Sequence, residues 1–213
     1  MAENPSASLQ DQVATMLAAA ADGVLPAIVH AGHPALRTPA ARWTGQLEPA
    51  QLTELIDLLR RCMHAAPGVG LAAPQLGISL QLAVLEDRHL IESEAATLRE
   101  RTELEFFAVL NPRYEALGPE MAEFYEGCLS VDGWQAVVPR HRAVGLHFES
   151  PDGVAQYREF SGWPARIVQH ETDHLAGELY LDKAILRSLA SNAEYAARWA
   201  EPGIGLAQRG LGF

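Results

Sequence analysis

The sequence predicts an α+β fold, with antiparallel strands packed around one central metal-binding helix, and three observations carry that expectation. Glu48 to Met63 places Leu52, Leu55, Ile56, Leu59, Cys62 and Met63 at the three–four spacing of an amphipathic helix. Ala143 to Glu149 alternates Val144, Leu146 and Phe148 as a half-buried strand does, and the turn Ser150-Pro151-Asp152-Gly153 leads it into a second strand at Val154 to Phe160. His170-Glu171-Thr172-Asp173-His174 follows that hairpin, between Trp163-Pro164 at a helix start and Gly177 at a left-handed stop.

At 213 residues the chain is long enough for one domain with a real core and too short for two of ordinary size. The expected organisation is a single domain over 1–213, with an N-terminal extension at about 1–24 and a C-terminal helix and tail at about 186–213. An apolar fraction of 48% with 20% charged residues excludes wholesale disorder. A net charge of -11 argues against a broad nucleic-acid-binding face, so no sequence-specific nucleic-acid partner is expected. Only two cysteines occur, Cys62 and Cys128, in unlike settings, which fits a reducing compartment and not a disulfide framework. The N-terminus lacks the basic region of a signal peptide, and no apolar run approaches the roughly 20 residues of a membrane span. The expected location is cytoplasmic.

In chain order, residues 1–7 are expected to fray, and Ser8 to Ala21 reads as an appended alanine-rich helix capped by Ser8 and stopped at Gly23. Val24 to Pro39 reads as an ordered loop in which His30 and His33 are solvated or structural. The helix at 48–63 buries Cys62 as a core thiol. After it, Gly68 to Gly77 is rich in glycine and alanine, and two readings stand: a place where another backbone approaches closely, or a tight connection into the next strand. Leu80 to Leu85 and Phe106 to Leu110 are of strand length, the second closed by Asn111-Pro112, with Ile91 to Glu105 a charged surface excursion between them. Ala136 to Pro139 reads as a further extended run. Beyond the central helix, Glu178 to Leu181 is expected as a last short strand, Ser188 to Ala200 as a terminal helix, and Pro202 to Phe213 as a loosely held tail.

The chemistry concentrates on the His-Glu-x-x-His stretch. Residues four apart on a helix lie about 40° apart around its axis, so His170 and His174 can reach one ion. Glu171 then stands beside the metal, where a carboxylate can take a proton from water. The competing reading is a helix that happens to carry two histidines on a polar face. Two ligands leave a metal incompletely held, and Cys128 is the strongest candidate for a third, because Gly127 gives access and a thiolate suits zinc or ferrous iron. A lone cysteine is also commonly a small buried hydrophobe.

Gly68 to Gln75 (Gly-Val-Gly-Leu-Ala-Ala-Pro-Gln), Glu126-Gly127-Cys128-Leu129-Ser130, and Gln169 to Gly177 occur in order, and His33-Pro34-Ala35-Leu36-Arg37 precedes them. Together these stretches resemble the peptide deformylase family, and the resemblance covers roughly residues 25–185. It implies a metal-dependent hydrolase that removes the formyl group from the N-terminal formylmethionine of newly made proteins, releasing formate. It further implies that Cys128, His170 and His174 bind one divalent metal ion, physiologically Fe2+, with Zn2+ or Ni2+ as alternatives in the isolated protein. Glu171 would be the general base and then the acid. Gln75, through its side-chain amide, and Leu129, through its backbone N–H, would stabilise the oxyanion. Val69 and Gly70, with Gly127 opposite, would let the peptide lie alongside as an added strand, and Val69, Glu126, Trp163, Ile167 and His170 would line the methionine pocket.

Three departures follow from the same comparison. Trp163 is larger than the aliphatic residue expected in that pocket. Gln135 stands where many members carry an arginine that holds the peptide backbone. Ser188 to Ala200 lacks the basic character of a ribosome-docking helix, so contact with the ribosome is expected to be transient at most. Apart from the resemblance, Asp173 is expected to pair with Arg140 and hold the ligand helix against the strand after Cys128. A zincin-type peptidase and a catalytically silent metal-binding module are the rival readings. Cys128 and Gln75 speak against the first, and the presence of Glu171 against the second.

Overall fold

The computed structural model describes residues 8–88 and 92–213. The fraying expected for residues 1–7, and Ile91 at the start of the expected surface excursion, lie outside the described residues. Among the described residues the elements are six α-helices and eight strands, joined by short 3-10 turns and one π-helical turn: α1 Leu9–Ala21, α2 Pro49–Ala65, β1 Gly70–Ala72, β2 Leu82–Asp87, α3 Glu94–Leu98, β3 Leu104–Ala116, β4 Met121–Gly127, β5 Trp134–His141, β6 Ala143–Glu149, β7 Ala155–Ser161, α4 Gly162–Leu175, β8 Ala190–Ser191, α5 Asn192–Glu194 and α6 Gly205–Leu211. Every strand pairing is antiparallel, in a five-stranded sheet of order β1-β2-β3-β6-β7 and a three-stranded sheet of order β4-β5-β8.

The central helix α4 buries Ala165, Ile167, Val168 and Leu175 against Leu85, Val109, Val144 and Leu146 of the larger sheet. Its end is set by Gly177, at φ +79°, where an added Cβ would meet the backbone of Arg37 and Thr38 at 3.0 Å. Gln169 ties the helix to β5, donating to the His141 carbonyl at 2.8 Å and accepting from the His141 N–H at 3.0 Å. A second core forms where α2 presents Leu55, Leu58 and Leu59 to Leu71, Leu82 and Val84. Cys62 is buried there as expected, and burial pushes its thiol pKa up. Helix α1 belongs to this core and is no appendage. It is capped by Ser8 in a reciprocal box with Asp11, and Val13 is fully buried.

Other expectations need correction. The excursion before β3 stays at the surface as expected, where α3 has no buried residue, but β3 does not stop at Asn111-Pro112. Asn111 takes up the left-handed region at φ +51°, its side chain pairs with both backbone groups of Trp43, and the register shifts between Leu110 and Arg113, so the strand continues through a bulge. Strand β4 was not legible as a separate element. Residues Tyr180–Asp182 form a 3-10 turn, not a strand, because the Asp182 side chain accepts from Leu179 N–H at 2.8 Å. The expected helix at 188–200 is divided: β8 pairs with Trp134 and Gln135, α5 follows, and Tyr195–Trp199 winds as a π-helix. The tail is not loose, since α6 buries Ala207 beside Tyr125 and Val137, with Trp199 and Phe213 packed against them. Among the described residues, no helix is long and apolar enough to cross a membrane.

Candidate active site

Helix α4 presents His170 and His174 one turn apart, and the turn after β4 brings Cys128 to them. The ligand atoms of these three side chains all lie within 4.8 Å of one another, with Cys128 Sγ 3.3 Å from His174 Nε2. The arrangement fits a metal ion. His170 has its Nδ1 3.0 Å from Glu126 Oε2, which leaves Nε2 for a ligand bond. His174 is 1% exposed, its Nδ1 has no hydrogen-bond partner, and burial together with nearby His170 lowers its pKa well below the usual range. At His170 burial is outweighed by Cys128 and Glu126, which hold its pKa well above the usual range, and coordination takes both imidazoles in their neutral form.

Glu171 is 5% exposed, and burial pushes its pKa up to about 7, while its Oε2 has no hydrogen-bond partner. It fits beneath β1 only because residue 70 is glycine, since a Cβ there would lie 2.2 Å from Glu171 Oε1. Gln75 is oriented at both ends of its amide. Its Oε1 accepts from Ala72 N–H at 2.9 Å, and its Nε2 lies 3.2 Å from Ser130 Oγ and 3.7 Å from Cys128 Sγ. The segment before α2 straps both motifs, as Val29 N–H donates to the Gln75 carbonyl at 2.9 Å and Ala31 N–H to the Ser130 carbonyl at 2.7 Å.

Behind the ligands is a buried charge network. Arg140, 1% exposed, donates from Nε and Nη2 to the two oxygens of Glu126 at 2.9 and 3.0 Å, and from Nη1 to Asp173. Arg166 also donates to Glu126, and Lys183 and the Tyr114 hydroxyl converge on Asp173 at 2.6 and 3.0 Å. Burial alone would raise the Glu126 pKa, but Arg140, the hydrogen bond to His170 and Arg166 hold it well below the usual carboxylate range. The expected Asp173–Arg140 pair is present, joining α4 to β5.

The structure brings the expected residues together. Val69, Gly70, Gln75, Glu126, Gly127, Cys128, Leu129, Trp163, Ile167, His170 and Glu171 all line one cavity of about 810 Å³, and His174 lies behind it at the ligand cluster. Glu126 reaches the cavity with its carboxylate committed to Arg140, Arg166 and His170, so its chief structural role is to orient an imidazole. Arg166, Tyr114 and Lys183 were missed, and Ser130 was seen only as part of the Glu126–Ser130 stretch, without its role beside Gln75. Their partners lie up to 69 residues away in the chain, and no spacing signal announces such pairs.

Residues 25–189 match the family model described as polypeptide deformylase. The chain belongs to the peptide deformylase family. It is 52% identical over 208 residues to peptide deformylase 3 of Streptomyces avermitilis, covering 98% of this chain and 92% of that one. To peptide deformylase 1 of Streptomyces coelicolor it is 51% identical over 205 residues, covering 96% and 93%. Among solved structures, the Met-Ala-Ser-bound class I type b peptide deformylase of Acinetobacter baumannii superposes with a TM-score of 0.68 at 31% identity, covering 75% of this chain and 98% of that one. The general activity of the family is metal-dependent deformylation of N-formylmethionine on nascent peptides, and the earlier resemblance and fold class agree with these relatives.

Proposed function

We propose that this peptide deformylase holds one divalent metal ion through Cys128, His170 and His174, that the ion is ferrous iron in the cell, and that zinc or nickel can replace it in the isolated protein. The observation that carries the reading is the convergence of Cys128, His170 and His174, side chains of types that suit such ions, with the buried carboxylate of Glu171 seated beside them against Gly70. A bound ion supplies Lewis acidity, polarising the formyl carbonyl and bringing the pKa of water down to about 7. Glu171 accepts the proton of the attacking water and returns it to the departing amine. Gln75 Nε2 and the Leu129 N–H donate to the oxygen on which negative charge develops, a contribution of about 3 to 4 kcal/mol in comparable sites.

The peptide lies beside β1 as an added strand, running along Val69, Gly70 and Gly127. The methionine side chain enters between Val69, Trp163 and Ile167, with Glu126 and His170 at its margin. Where other members carry an arginine, Gln135 Nε2 instead donates to Asn192 Oδ1 at 3.0 Å, so it adds no charge to peptide binding. The whole chain acts as one domain in the cytoplasm, meeting the ribosome only transiently and binding no specific nucleic acid, as its net charge of -11 favours.

Anaerobic purification, elemental analysis and an assay on formyl-Met-Ala-Ser test this reading. About one equivalent of iron, tracking with formate release, is expected. Full activity in metal-free protein, or none in metal-loaded protein, contradicts it.

A further inference from the structure

The connection between β2 and β3 sends one side chain into the active-site cavity. Arg99 ends α3, its N–H bonding to the Ala95 carbonyl at 3.0 Å, and the chain then turns through Glu100 in the left-handed region at φ +51°. This turn is pinned on several sides. Trp163 N–H donates to the Glu100 carbonyl at 3.4 Å, Arg142 Nη2 holds the Glu100 side chain at 2.6 Å, and Arg101 grips Asp87 at 2.7 and 2.8 Å. Residue 162 must approach closely too, since a Cβ there would lie 2.5 Å from Glu100 Cβ.

From this fixed base the Arg99 guanidinium lies over Trp163 at 5.2 Å and over Phe124 at 5.6 Å. Arg166 faces the same two rings at 5.7 and 5.3 Å, and the rings meet edge to face at 6.3 Å. Arg166 is committed to Glu126 and the carbonyls of Val138 and Ala122. Arg99 forms no ion pair among the described residues, and its buried Nε has no hydrogen-bond partner, so ring stacking is what holds it.

Arg99, Trp163 and Arg166 line two cavities at once: the active-site cavity and, on its far side, a smaller pocket of about 60 Å³ bounded also by Phe124 and Arg140 and rimmed by the exposed Leu98, Glu100 and Arg142. They are the partition between the two. We propose that Arg99 is a specificity-determining residue that closes the blind end of the first-side-chain pocket and so selects methionine over bulkier residues; this rests on the pocket assignment made above. Trimming Arg99 joins the smaller pocket to this one and deepens it.

The test compares kcat and KM of metal-loaded wild type, Arg99→Ala and Arg99→Leu on formyl-Met-Ala-Ser and formyl-Phe-Ala-Ser. In Arg99→Ala, kcat/KM for the phenylalanyl peptide is expected to rise relative to the methionyl peptide by about tenfold, mainly through KM, as pocket-size changes do. Arg99→Leu keeps part of the stem packing and should move the ratio the same way by less, which preserves the test if the alanine variant does not fold. A ratio that neither variant moves overturns the proposal while leaving the active-site reading intact. Failure of wild type to deformylate formyl-Met-Ala-Ser overturns both.

Discussion

Gly70 and Glu171 are in contact, and the absence of a side chain on the first is what gives the second its place: a Cβ on residue 70 would lie 2.2, 2.4 and 2.6 Å from Oε1, Cδ and Cγ of Glu171. A glycine that reads in the sequence as room for a peptide is, in the structure, room for the base. Gly70→Ala should therefore push the carboxylate out of position while Cys128, His170 and His174 stay as they are. The expected outcome is metal content within error of wild type with turnover of formyl-Met-Ala-Ser down by about 10²-fold, the scale on which small displacements of reacting groups act. Wild-type turnover would show that Glu171 tolerates the shift.

Arg140 joins Glu126 on β4 to Asp173 on α4 and is 1% exposed. Arg140→Ala leaves two buried carboxylates short of their main partner, with Arg166 and Lys183 as partial substitutes. Thermal or denaturant unfolding should show a loss of about 3 to 5 kcal/mol. A variant as stable as wild type would mean that the pair is dispensable.

On β2, Glu86 is 4% exposed in its side chain, and hydrogen bonds from Arg60 outweigh burial, with help from His64, to lower its pKa below the ordinary value of 4.5. The sign follows from that direction. A carboxylate whose folded pKa lies below its unfolded one stabilises the fold above the unfolded value, and the contribution fades as pH falls through the folded one. Glu86→Gln should thus cost about 1 to 2 kcal/mol at neutral pH, the lower figure favoured because Arg60 is a third exposed. The stability difference from wild type should shrink as the pH is lowered below about 4. A difference constant from pH 7 to 3 would contradict the assignment.

What the sequence made legible was local. The 3.6-residue period of α2, the Ser8 cap of α1, the hairpin between β6 and β7 and the Gly177 stop of α4 are all set by neighbours in the chain, and each stands as expected. Distant partners decided the rest. Strand β3 passes Asn111-Pro112 because Trp43, 68 residues earlier, satisfies the Asn111 side chain. The glycine-rich tail orders because Tyr125 and Val137 offer an apolar seat, and Arg187 donates to the Leu211 carbonyl at 2.9 Å. In the site, the His-Glu-x-x-His spacing and the Asp173–Arg140 pair could be read ahead, whereas Arg166 and Lys183 enter from positions with no motif around them.

The two cysteines should separate cleanly. Cys128→Ser replaces a thiolate that coordination deprotonates with a hydroxyl, and metal content and formate release should both collapse. Cys62→Ser, in a core position 3% exposed, should bind metal normally and lose only stability, since a hydroxyl without a partner costs about 1 to 3 kcal/mol. Elemental analysis of both variants beside wild type decides the matter, and normal metal in Cys128→Ser would remove it from the ligand set.

The most direct measurement is turnover by Glu171→Gln at matched metal occupancy, with binding of a non-hydrolysable formyl-peptide analogue measured alongside. Glutamine nearly preserves the shape that fits against Gly70, and Cys128, His170 and His174 are untouched, so metal content and analogue binding should stay near wild type. What is lost is a side chain that first accepts and then donates a proton, typically worth about 10² to 10⁴ in rate. A fall in kcat of that size with binding retained is the predicted result. Near-normal turnover of formyl-Met-Ala-Ser would contradict the account, because the proton would then be moved by another group.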